Sequence, residues 1–181
     1  MKEEVAFFTL EPTKDKKGVI GAILVVDDLG MPQEFRVTYP VKPTALQKQL
    51  YGNSLNVHIG VTLCGEPLYK ALRNKPELLL VNQKQHLTLA EKVSSEVALV
   101  ERIGEVIVVG EEDEQRPRIK IHSKTERFQP LNIFSNDLGD HDQEEIKALV
   151  EKYFQSIDLL EPFDRIKGAL EALGEQDERF N

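Results

Sequence analysis

Two apolar runs near the start constrain this chain most. Val5-Ala6-Phe7-Phe8-Thr9-Leu10 is a short one, and residues 19–26 (Val-Ile-Gly-Ala-Ile-Leu-Val-Val) form a longer aliphatic, β-branched one. A strand with one wet face alternates apolar and polar side chains, whereas a strand buried on both faces reads as a continuous apolar stretch. The second run is therefore predicted to be a well-buried strand. A polar turn with Pro12 separates the runs, and Asp27-Asp28-Leu29-Gly30-Met31-Pro32 carries a clear stop signal after the second. Beyond it, Phe35, Val37 and Tyr39 alternate with Glu34, Arg36 and Thr38, the period-two mark of a half-buried strand. Short connections make an antiparallel three-strand meander the simplest arrangement.

The pattern then changes. Pro40 and Pro43 end the third strand, and Thr44-Ala45-Leu46-Gln47 has the form of a capping box for a short helix that closes at Gly52. Residues 55–63 alternate like a strand, but the Asn53-Ser54 pair offers a cap, and the reading favours helix with an interruption near Gly65 and Pro67. Strands are predicted over residues 77–81, 97–100, 105–109 and 118–122, with a helical turn around 87–91 and an acidic hairpin loop at 111–114. Residues 123–137 read as irregular. Ile146, Leu149, Val150, Tyr153 and Ile157 share one helix face, and Phe163, Ile166, Leu170 and Leu173 share another. The expected class is α+β (mixed α/β): a sheet-and-helix domain over 1–138, a C-terminal helical pair over 139–175 packed on it or used in association, and a flexible tail over 176–181.

Charge enters the argument through partners. Lys and Arg number 23 against 31 Asp and Glu, a net charge of −8. Affinity for nucleic acid without sequence preference is mostly phosphate neutralisation, so an acidic surface is expected to disfavour it. The single cysteine, Cys64, excludes an intramolecular disulfide and any multi-cysteine zinc site. No signal peptide and no stretch of membrane-spanning length is visible, so a cytoplasmic protein without membrane partners is the default expectation.

No phosphate loop, dinucleotide fingerprint, zinc-protease motif or nucleophile elbow occurs, and no cofactor is evident. The chemistry-bearing candidates are three. Asp137, Asp140, His141 and Asp142 lie within six residues and offer oxygen and imidazole ligands, though Asp at a helix start also serves as a cap. Asp27 and Asp28 end the strongest strand, where paired carboxylates hold a metal or form a turn. Arg36, Lys42 and Thr44 surround the delivery of a strand into a helix N-terminus and are candidates for anion binding. Lys14, Lys16 and Lys17 read as a solvated hairpin tip.

The order strand, strand, strand, helix, strand over residues 5–82 resembles the opening of the ribonuclease H-like fold. That family includes nucleases holding two metals through carboxylates, one within the first strand and one at the end of the fourth. Here the first strand offers Glu11 near its end, and the fourth ends Leu80-Val81-Asn82, with an amide in place of the carboxylate. Residues 34–52 also resemble a block from uncharacterised bacterial proteins. The main expectation is a non-catalytic binding or accessory module, with a protein partner or self-association through the C-terminal helices. The alternative is a phosphodiesterase or nuclease-like enzyme, active or inactive, using Mg²⁺ or Mn²⁺ on Glu11, Asp27, Asp28, Asp140 and Asp142.

Overall fold

The structure is a computed structural model that describes residues 3–104, 119–124, 127–135 and 140–180, with side chains from 143 onward in the last stretch. Its centre is β1 (Glu4–Pro12) and β2 (Val19–Asp27), which pair antiparallel along their whole length, from Glu4 opposite Asp27 to Pro12 opposite Val19. β3 (Pro32–Val37) adds antiparallel to β2 and completes the expected meander. β4 (Leu78–Val81) lies parallel to β1, and β5 (Glu96–Arg102) parallel to β4.

Residues 123–137, expected to be irregular, contain a strand. β7 (Leu131–Phe134) pairs antiparallel with β5 on one side and with β6 (Ile119–Ile121) on the other. Its signal is only four residues long: Leu131 and Ile133 point inward between half-buried Asn132 and Phe134. Among the described residues the sheet order is β3-β2-β1-β4-β5-β7-β6. The strand expected at 105–109 and the acidic loop at 111–114 lie outside the described residues.

β1 shows why its run is apolar at both parities. Val5 and Phe7 belong to the core on one face of the sheet, and Ala6, Phe8 and Leu10 to the core on the other. The first face is covered by α4 (Asp140–Phe154) and α5 (Glu161–Gln176), through Ile146, Val150, Tyr153, Phe154, Phe163, Ile166 and Leu170. Tyr153 also donates from its hydroxyl to Glu77 and to the Glu4 carbonyl, which ties α4 to the start of β1 and β4. The apolar faces of both helices are packed on the sheet.

The second face is covered by the segment over residues 55–71, which resolves as helix. It runs from α2 (Leu55–Val57) through a π-helical stretch (His58–Gly65) into α3 (Glu66–Ala71), with Pro67 in the first turn of α3. The strand-like alternation is overridden because Ile59, Val61, Cys64, Leu68 and Tyr69 all turn inward once the backbone winds. Gly21 in β2 permits this approach: a Cβ there would lie 2.5 Å from Cys64 Cβ. Cys64 is fully buried, and burial pushes its thiol pKa up, which leaves it an inert core residue. Among the described residues no helix is long and apolar enough to cross a membrane.

Candidate functional site

Because β1 and β4 run parallel, with Phe8 opposite Val81, both leave the sheet at the same edge. Leu10, Glu11 and Pro12 emerge beside Asn82 and Gln83, and the Gln83 side-chain amide donates to the Leu10 carbonyl at 3.0 Å. The hairpin from β1 to β2 turns here. Thr13 Oγ1 accepts from Gly18 N at 3.0 Å and donates to Asp15 at 2.6 Å, and Lys16 takes a positive φ of 55° at the tip. The chain leaving β3 returns to the same edge, where Val41 and Val19 form a bridge.

Two grooves open on either side of the end of β1. Strand alternation decides what each receives. Glu11 faces α5 and lines a groove of about 410 Å³ with Lys14, Lys16, Lys167, Glu171, Glu175 and Phe180. Its carboxyl is half-buried, and desolvation holds its pKa above the ordinary glutamate value. Glu171 and Asp164 push the same way, while the Thr9 hydroxyl and Lys167 oppose. Leu10 faces the other way, into a groove of about 500 Å³ lined by Lys16, Lys17, Lys48, Asn56, Gln83 and Gln85, with Pro12, Val19, Pro43, Leu55 and Ile59 as apolar wall. Among the described residues no Asp or Glu lines this second groove.

The candidates named from sequence are dispersed. Asp27 ends β2 and Asp28 follows it at the opposite edge, roughly 20 Å along the strand from Glu11. Asp27 accepts from the backbone N–H of Leu29 and Met31 and from Gln33, the pattern of a turn former. Arg36 is paired with Glu34, Lys42 with Asp15, and Thr44 forms the capping box of α1 (Ala45–Tyr51) with Gln47. Asp137 lies outside the described residues, as do the side chains of Asp140, His141 and Asp142. Among the described residues no three His, Cys, Asp or Glu side chains lie where they could share a metal ion. Sequence reasoning missed Lys48, Asn56, Gln83 and Gln85. The only signal was the polar run directly after β4, whose meaning depends on β4 lying beside β1.

Beneath the second groove lies His86, fully buried, its ring 4.9 Å from that of Phe8. Among the described residues, both its nitrogens are without a hydrogen-bond partner, as is Asn82 Oδ1. A Cβ on Gly60 would lie 2.6 Å from His86 Nε2, so the helix backbone itself closes over the imidazole.

No protein-family model matches the chain, and no curated protein does. Solved structures do. The catalytic domain of human endonuclease V has a TM-score of 0.56 at 12% identity, over 96% of this chain and 85% of that one. A second human endonuclease V structure gives 0.51 at 12%, over 93% and 86%. Endonuclease V of Ciona intestinalis, in complex with a 23mer DNA containing an inosine followed by a ribo-adenosine, gives 0.50 at 13%, over 92% and 85%.

These likenesses correct two expectations. The preference for a non-catalytic accessory module fails, because nearly the whole chain takes the fold of a nuclease. The expectation that nucleic acid is disfavoured also fails: the same fold holds DNA in the ascidian structure. Net charge averages the whole surface, whereas Lys14, Lys16, Lys17 and Lys48 gather at one edge of the sheet. The resemblance read from residues 5–82 thus extends to nearly the whole chain, and its fold is ribonuclease H-like.

Proposed function

We propose that this chain is a nuclease-like protein that acts on nucleic acid, with the strand lying across the edge where β1 and β4 end. The carrying observation is the lysine-rich groove, free of carboxylates among the described residues, at that edge of a fold that holds DNA in the Ciona intestinalis enzyme. Apolar walls beside ammonium groups suit an unstacked strand, whose bases seek apolar contact while its phosphates seek cations. Glu11 is the carboxylate that β1 brings to this edge. Mg²⁺ or Mn²⁺ is the cofactor the fold implies. The described residues do not fit a shared metal centre: β4 is followed by the neutral amide of Asn82, and Glu11 stands half-buried beside Lys167 without two further ligands.

Single-stranded and inosine-containing DNA and RNA oligonucleotides, labelled for fluorescence anisotropy and for gel analysis, test the proposal. Binding is expected at low salt, weakened at least tenfold by Lys16→Glu combined with Lys17→Glu. Any cleavage seen is expected to fall in Glu11→Gln. Absence of both binding and cleavage across the set would discard the proposal.

A further inference from the structure

This inference rests on the strand-binding reading and concerns what neutralises the phosphates. We propose that lysine ammonium groups contact the strand directly, so that binding needs no divalent cation. A carboxylate-and-metal centre is negative as built and becomes attractive to phosphate only when ions reverse its sign. The 500 Å³ groove is already positive: Lys16, Lys17 and Lys48 line it, with neutral amides from Asn56, Gln83 and Gln85 and, among the described residues, no acid. The three lysine side chains are exposed, and none forms an ion pair with a carboxylate among the described residues. Asn82 removes the charge that β4 would contribute, and strand alternation sends Glu11 into the neighbouring groove.

The backbone that carries these lysines is also held in place. Lys16 and Lys17 sit on a hairpin tied by Thr13 to Asp15 and Gly18, with Lys17 N donating to Asp15 at 2.9 Å. Lys48 rides on α1, whose start is fixed by reciprocal bonds between Thr44 and Gln47. With the backbone fixed, only the lysine side chains remain to be ordered when a phosphate arrives.

The test is the affinity of a labelled single-stranded oligonucleotide across a salt series, measured in EDTA and again in millimolar MgCl2. Binding is expected in EDTA and is not strengthened by Mg²⁺. Three phosphate contacts predict a slope of log K against log salt of about −2, with each of Lys16→Gln, Lys17→Gln and Lys48→Gln reducing its size by about 0.7. Unchanged circular-dichroism melts for these surface variants would show that folding is intact. Binding that appears only with Mg²⁺ overturns the inference and leaves the proposed function standing. Binding in EDTA with a slope indifferent to all three substitutions overturns the lysine assignment. No binding in either buffer overturns the strand reading itself.

Discussion

His86 shows how a single residue couples burial to pH. It is enclosed by the Phe8 ring and the Gly60 backbone, and burial lowers its pKa from the ordinary 6.5 to about 4. The unfolded chain takes up this proton near 6.5, while the folded chain refuses it until about 4. Between those values the unfolded state binds more protons, so stability is complete above 6.5 and declines as pH falls towards 4. The difference amounts to about 3 kcal/mol at most. His86→Phe keeps a ring against Phe8 and removes the titration. Urea midpoints measured across this window should therefore fall less steeply with acidification in the variant. Parallel curves would show that His86 is not the group responsible. The neighbouring Asn82, with Oδ1 buried and without a hydrogen-bond partner, was legible as a departure from the resembled family; that its oxygen is enclosed was not.

At the scale of elements, α1 is unusual because it carries no buried residue, and Leu46 and Leu50 are 68% and 73% exposed. A helix of seven residues without tertiary burial depends on its ends, since helix nucleation is costly and packing normally compensates. Its capping box and the Gly52 C-cap, at φ 51°, are therefore its main supports. Thr44→Ala is expected to cost about 1 kcal/mol, confined to this helix. Hydrogen exchange should accelerate several-fold at the amides of residues 45–51 while the global melting temperature stays within about a degree; a fall in global stability would show that α1 is packed more firmly than its exposure implies. The segment over residues 55–71 presents the opposite case. Its alternation fits either periodicity, and the outcome was set by the apolar face of β1, β2 and β4, which a winding segment covers and a further strand does not.

The whole molecule is a sheet with a core on each face, and the C-terminal helices supply one of them. Phe163 meets Phe7 edge to face, with ring centroids 5.4 Å apart and planes at 84°. Phe163→Ala leaves a void at that contact and should cost about 3–5 kcal/mol, read as a fall in the denaturation midpoint without change in its slope. Removing residues 140–181 should abolish cooperative unfolding, because Val5, Phe7, Leu24, Leu78 and Leu80 would then face water. A truncated chain that still melts cooperatively would show the first 139 residues to be self-sufficient. Much of this architecture was written locally. Continuous apolar runs mean strands covered on both sides, alternation means one covered face, and Thr-x-x-Gln followed by Gly means a short capped helix; each is a property of neighbouring residues, so the chain alone determines it. The placement of β7 between β5 and β6, the separation of Glu11 from Asp27 and Asp28, and the gathering of Lys16, Lys17 and Lys48 beside Gln83 are contacts between distant segments. Strand order, parallel pairing and the parity with which each side chain leaves its strand decide them, and these exist only once the sheet has formed.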